Sequence, residues 1–85
     1  MTMDENYIYG IFYNGKLNEN LLYKDYDTAV KIKEQMMEEK FKYLNQLLDI
    51  NGLEYVIKLD DNCIAAYEEF NTTMYTYDIH KLKVN

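Results

Sequence analysis

The sequence predicts one α+β domain, in which an antiparallel sheet carries one long helix packed on a face, in the order ββαβββ. Three observations predict it: an aromatic segment followed by Asn14-Gly15, an apolar helical pattern from Asp25 to about Asp49, and alternating segments after Gly52. At 85 residues the chain is near the lower size limit for a self-supporting core, so we expect residues 1–85 to form a single domain.

The first two strands are predicted to form a hairpin. Tyr7 to Tyr13 is rich in β-branched and aromatic residues, which favour strands. Asn14-Gly15 follows, and this dipeptide favours a type I′ turn because both central residues of that turn need positive φ. Leu17 to Lys24 is then the returning strand.

The next segment is predicted to be a helix of some 24 residues, or about 36 Å. Asp25 is a suitable N-cap, and Asn51-Gly52 provides the C-terminal stop. At 100° per residue the apolar side chains fall into two stripes. The first stripe is Ala29, Ile32, Met36, Tyr43 and Leu47; the second is Val30, Met37, Phe41, Leu44 and Leu48.

The two stripes allow two interpretations, because Lys33 and Lys40 fall between them. In the first, one broad face lies on the sheet and both lysines extend their ammonium groups to its edge. In the second, one stripe packs on the sheet and the other contacts a partner helix or a second subunit. The predicted dimer interface is then Met37, Phe41, Leu44 and Leu48.

The rest of the chain is predicted to contain three more strands. Leu53 to Leu59 alternates, with Leu53, Tyr55, Ile57 and Leu59 on one face. The predicted order is then a turn at Asp60 to Asn62, a strand from Cys63 to Phe70, a turn at Asn71 to Thr73, and a strand from Met74 to Val84.

Tyrosines recur at alternate positions of the first and last strands, and alternate side chains share a face of a sheet. Gly10 lies on the opposite face of the first strand, where its missing side chain would let the helix approach. This places the tyrosines on the open face, where tyrosine suits a protein interface. The predicted contact residues are Tyr7, Tyr9, Tyr13, Tyr75 and Tyr77; the alternative is that they cover the sheet or build the core.

The net charge of −6 and the absence of arginine argue against direct contact with nucleic acid, whose phosphates are usually bound by Lys and Arg. Residues 51–73 hold five carboxylates against the single lysine Lys58. One interpretation is a solvated edge that deters edge-to-edge pairing. The other is that Asp60, Asp61, Glu68 and Glu69 steer the protein onto the basic surface of a partner.

No arrangement typical of catalysis stands out in the sequence. Cys63 and His80 are the sole members of their types, and neither lies in a known nucleophile motif. One cysteine and one histidine cannot supply a structural zinc site, and the isolated glycines form no phosphate-binding loop. We therefore expect no enzymatic activity, no metal and no cofactor.

The expected function is that of a small acidic protein-binding module. The lack of Arg and Pro beside abundant Asn, Lys, Ile and Tyr favours an AT-rich gene, and with small size suggests a phage or mobile-element inhibitor that occludes a nucleic-acid-handling host or defence protein. The single cysteine, the absence of a signal pattern and the lack of a long apolar run favour the cytoplasm, without a membrane contact. The alternative is a homodimeric structural or regulatory protein that dimerises through its helix.

Overall fold

The computed structural model describes residues 7–48 and 52–84, which form a five-stranded antiparallel sheet with one helix on a face. The α+β class and the ββαβββ order are confirmed. Asp49 and Asn51, at the predicted end of the helix, lie outside the described residues. The elements are β1 (Tyr7–Tyr13), β2 (Lys16–Tyr23), α1 (Tyr26–Gln46), β3 (Leu53–Asp60), β4 (Cys63–Glu68) and β5 (Asn71–Lys83).

The sheet has the strand order β2-β1-β5-β4-β3, with the last strand of the chain at its centre. The first half of β5 pairs with β4, from Glu68↔Asn71 to Cys63↔Thr76. Its second half pairs with β1, from Tyr13↔Tyr77 to Tyr7↔Lys83. The sheet is therefore two hairpins staggered along one long strand, and the molecule measures 55 × 20 × 19 Å.

The turn between β1 and β2 has the conformation that its sequence predicts. Asn14 and Gly15 have φ values of 52° and 83°, both in the left-handed region. The backbone N–H of Asn14 donates to the carbonyl oxygen of Thr76 at 2.9 Å. The Asn14 side-chain oxygen accepts from the Thr76 N–H, also at 2.9 Å. Asn14 thus shapes the turn and joins it to the central strand.

The turn between β4 and β5 lies earlier than predicted. Its two residues are Glu69 and Phe70, and Asn71 already pairs with Glu68 in the sheet. The predicted turn at Asn71 to Thr73 rested on the turn preference of asparagine. Thr72 and Thr73 are β-branched, however, and the structure uses them as strand residues, paired with Tyr67 and Ala66.

Helix α1 begins at the predicted cap and lays a broad face on the sheet. The Asp25 carboxylate accepts from the backbone N–H and the hydroxyl of Thr28, both at 2.9 Å. Within the helix, Ala29, Met37 and Leu44 are buried together with the stem of Lys33. Residues of both apolar stripes pack on the core, as the first interpretation predicts; the half-buried members are Met36, Phe41, Leu47 and Leu48.

The core lies between α1 and the half of the sheet formed by β3, β4 and β5. Met37 and Leu44 of the helix belong to it, and Phe41 and Leu48 pack against it. These four residues were the ones proposed for a helix-mediated dimer. Met37 and Leu44 are buried inside the chain and are not available to a partner, whereas Phe41 and Leu48 are half-buried; a helix-mediated dimer stays a prediction. The buried members are Met37, Leu44, Leu53, Val56, Ile64, Ala66 and Tyr77.

Candidate protein-binding surfaces

The tyrosines of β1 and β5 face the helix, so the facing predicted for them is wrong. Tyr9 contacts Tyr26, the first residue of α1, with ring centroids 5.4 Å apart. Tyr13 and Tyr75 pack against the core, and Tyr77 is only 1% exposed. Tyr7 is half-buried beneath the ammonium of Lys81, 4.4 Å from its ring centroid. All five predicted contact residues therefore lie on the covered side of the sheet.

The surroundings of Gly10 explain why the predicted facing is wrong. Side chains from neighbouring strands fill the space beside Gly10. A Cβ built on Gly10 would meet side-chain carbons of Leu17, Leu82 and Leu22 at 2.7, 3.0 and 3.3 Å. These leucines come from β2 and β5 and lie on the face opposite the helix. The missing side chain thus makes room for leucines on the open face and not for the helix.

The two lysines between the stripes reach polar or aromatic partners at the rim of the covered face. Lys33 is 6% exposed, and its ammonium donates to the Asp61 carbonyl oxygen at 2.7 Å and to the Asn62 side-chain oxygen at 2.6 Å. Lys40 places its ammonium 4.7 Å from the Tyr75 ring centroid and 5.5 Å from that of Tyr13. Both stems cover apolar surface while both charges are satisfied.

Two side chains of the sheet have raised pKa values, and burial is the main cause for each. Burial raises the pKa of the Tyr77 phenol well above its ordinary value, and the nearby phenols of Tyr13 and Tyr75 add to this. Burial likewise raises the pKa of the Cys63 thiol, with smaller contributions from Asp60 and Asp78. Both groups are therefore held in their neutral forms, which suits packing.

Cys63 and His80 do not come together. Cys63 lies beside Thr76, is buried, and directs its Sγ toward the Ile64 carbonyl oxygen at 3.9 Å. His80 packs edge-on against Phe12 in the other hairpin, with ring centroids 4.7 Å apart. Along β5, Thr76 and His80 are separated by about 13 Å. The geometry gives the cysteine no base, and a non-catalytic role stays a prediction.

The open face of the sheet carries mainly uncharged side chains, which follow the strand pairing in rows. Tyr55, Tyr67 and Thr72 form one row, in which the two tyrosine rings stack at 4.6 Å. Ile57, Ala65 and Met74 form the next row, where Ile57 is 42% and Met74 49% exposed. Phe12 with Leu17, and Ile8 with Leu82, continue the apolar surface in the other hairpin.

A bulge in β3 produces part of this surface. The pairing of β3 with β4 shifts between Leu53 and Tyr55, so Leu53 and Val56 point into the core. Simple alternation had placed Leu53, Tyr55 and Ile57 on one face. An extra residue in one strand reverses the facing of everything after it, which is why Tyr55 and Ile57 project outward.

The tip of the β4–β5 hairpin is a second exposed feature that the sequence analysis missed. Phe70 is one of its two turn residues and is 91% exposed. Glu69 beside it is exposed, and Glu68 is half-buried. A Phe between two glutamates and Asn71 was an available signal, but assigning Phe70 to a strand concealed it. We call residues 68–70 the hairpin tip.

The four carboxylates proposed for partner binding lie at opposite ends of β4. Asp60 and Asp61 lie at the β3–β4 turn, where the Asp60 side chain accepts from the Asn62 N–H at 2.7 Å. Glu68 and Glu69 lie at the other end, roughly 17 Å from Cys63 at about 3.3 Å per residue. Within residues 7–48 and 52–84, none of the four forms an ion pair.

Comparisons with protein-family models, curated proteins and solved structures found no significant match. In the part of the chain that the structure describes, no helix is long and apolar enough to cross a membrane. Among the same residues, no group of three His, Cys, Asp or Glu side chains is placed to hold a metal ion. The proposed function therefore depends on the open face of the sheet and on the hairpin tip.

Proposed function

We propose that this chain is a protein-binding module that inserts the hairpin tip into a partner protein. The observation that carries the proposal is Phe70, a large aromatic side chain that is 91% exposed in a two-residue turn. Gly, Asn and Asp normally occupy such turns. Burying a phenylalanine contributes about 1.5–3 kcal/mol, and aromatic anchors of this kind dominate many protein interfaces.

The charge beside Phe70 indicates the chemistry of the partner. Glu68 and Glu69 directly precede Phe70 in sequence and form no ion pair among the described residues. An apolar pocket rimmed by Lys or Arg would complement this tip, because acidic side chains around an apolar anchor speed association with a basic surface. Asp60 and Asp61 lie at the far end of β4 and contribute through the net charge only.

The proposed biological role is inhibition of a host or defence protein. The small size, the net charge of −6 and the AT-rich composition support a phage or mobile-element inhibitor that acts in the host cytoplasm. Its partner would be a host or defence protein that handles nucleic acid, since such proteins present basic surfaces. Binding at the tip would occlude that surface without any reaction.

The test uses the full chain, immobilised, to capture a partner from a lysate of an AT-rich bacterium, followed by affinity measurement with the captured protein. Phe70→Ala should weaken binding about 30-fold or more, as expected for a loss of about 2 kcal/mol. Tyr43→Ala is the matched control, because Tyr43 is an aromatic residue of α1 that is 56% exposed and far from the tip in sequence. Circular dichroism checks that each variant is folded.

A charge series completes the test. The double variant Glu68→Gln with Glu69→Gln should slow association and reduce its dependence on salt. Asp60→Asn with Asp61→Asn removes the same formal charge at the other turn and should have the smaller effect. Equal affinities for wild type and Phe70→Ala would refute the proposed tip contact. Equal effects of the two acid pairs would reduce the role of Glu68 and Glu69 to net charge.

A further inference from the structure

The open face of the sheet supports a second inference, which is independent of the hairpin tip. We propose that a second copy of this chain covers this face, so that two sheets pack face to face between two outer helices. The apolar rows described above are the starting point, since contiguous exposed apolar surface marks an interaction site in soluble proteins. Ile57 and Met74 lie on either side of the buried Ala65 in one of these rows, and both are exposed.

The charge pattern indicates that this occupant is a like-charged copy. The chain carries a net charge of −6, yet the β5 positions that share the open face, 72, 74, 76, 78, 80 and 82, include one carboxylate, Asp78, and one imidazole, His80. Their partners in β1 and β4 on that face are Ile8, Gly10, Phe12, Cys63, Ala65 and Tyr67. Of the fifteen carboxylates in the chain, these rows would bring only Asp78 of each copy into the stack, with His80 two positions away on the same strand.

The size of the face also suits a dimer. The 55 × 20 Å outline of the molecule limits this face to on the order of 1,000 Å², which is comparable with the about 800 Å² that a standard-size interface takes from each partner. Two sheets stack about 10 Å apart with their side chains interdigitated. A two-fold pair is self-complementary, so one apolar face is sufficient for both subunits. The dimer would also give an 85-residue domain a second core.

Sedimentation velocity and light scattering of the full chain across a dilution series provide the test. The wild type should have twice the chain mass of 10.3 kDa at high concentration and dissociate on dilution. Its thermal midpoint should rise with concentration, as mass action requires for a dimer. A mass of 10.3 kDa at every concentration would overturn the proposal.

Charged variants locate the interface. Ile57→Lys and Met74→Lys each place two ammonium groups in the dimer, one per copy, and should raise its dissociation constant about a hundredfold or more. Both side chains are already more than two-fifths exposed, so the fold should tolerate the change. Tyr43→Lys, in the helix on the covered side of the sheet, should leave the dimer intact.

Other outcomes are equally decisive. A dimer that persists in both Ile57→Lys and Met74→Lys, or that dissociates only with Tyr43→Lys, would place the interface elsewhere and refute the proposal. Phe70→Ala should leave the dimer intact, because Phe70 is a turn residue outside the paired rows. This variant separates the two proposals. Partner binding at the hairpin tip can be refuted while the dimer is confirmed, and the dimer can be refuted while partner binding at the tip is confirmed.

Discussion

Both faces of the sheet carry tyrosines, but the faces differ in the side chains beside those tyrosines. The covered face holds tyrosines and lysines, such as Tyr13, Tyr77 and Lys81, whose bodies are apolar and whose ends are polar. The open face holds Tyr55 and Tyr67 beside wholly apolar side chains, such as Ile57 and Leu82. A helix of 21 residues is about 31 Å long and covers a strip of the sheet, so long side chains can reach its rim. The comparison teaches that tyrosine occurs on both faces and does not distinguish the exposed one.

Removing matched isoleucines is the strongest way to test this difference. Ile64 is fully buried against α1, so Ile64→Ala should lower the free energy of unfolding by about 2–5 kcal/mol. Ile57→Ala, on the open face, should cost less than about 1 kcal/mol in dilute protein, because the removed carbons are already partly hydrated. Urea denaturation measures both. Equal losses would mean that the open face is packed as tightly as the core.

Lys33 and Lys40, the two helix lysines above the covered face, test whether the contacts of their ammonium groups stabilise the fold. Lys33→Met keeps an apolar stem but removes the ammonium bound to Asp61 and Asn62, which should cost about 1.5–3 kcal/mol. Lys40→Met, its matched control, loses only contacts with tyrosine rings and should cost about 0.5–1 kcal/mol. Thermal or urea unfolding compares them. If Lys33→Met leaves the free energy of unfolding unchanged, packing of the apolar stem alone explains why this side chain is buried.

Alkaline pH provides the mildest test, through Tyr77. Burial raises its pKa above the ordinary 10.0, so above that pH the unfolded state releases a proton that the folded state retains. The resulting stability is fully present below pH 10 and is lost as pH rises further, by up to about 1.4 kcal/mol per pH unit. Tyr77→Phe lacks this proton, so its unfolding free energy should decline less steeply. If the unfolding free energies of wild type and Tyr77→Phe declined in parallel above pH 10, the Tyr77 phenol would be in contact with water in the folded state.

The elements of the fold could be predicted because their signals are local. The Asn14-Gly15 turn, the Asp25 cap and the helical apolar pattern each depend on neighbouring residues. The facing of the strands could not be predicted, because alternation divides a strand into two faces without saying which one the helix covers. Gly10 indicates which face the helix covers only when the structure shows that Leu17 and Leu82, from other strands, lie beside it.

The candidate surfaces were harder still to predict. Phe70 became a turn residue because Thr72 and Thr73 continue the pairing with β4, a choice made by the sheet and not by the turn preference of Asn71. Ile57 was exposed by a bulge four residues earlier in β3, at Leu53. Such irregularities depend on the partner strand, which the sequence does not specify.

The central position of β5 has a consequence for how the protein is made. A ribosome releases this strand after the other four, so the two hairpins and the helix emerge before the element that joins them. The pairing of Tyr7 with Lys83 spans almost the whole chain, and such distant contacts slow folding. We therefore expect the nascent chain to stay open until synthesis reaches β5, with its apolar rows accessible to chaperones meanwhile.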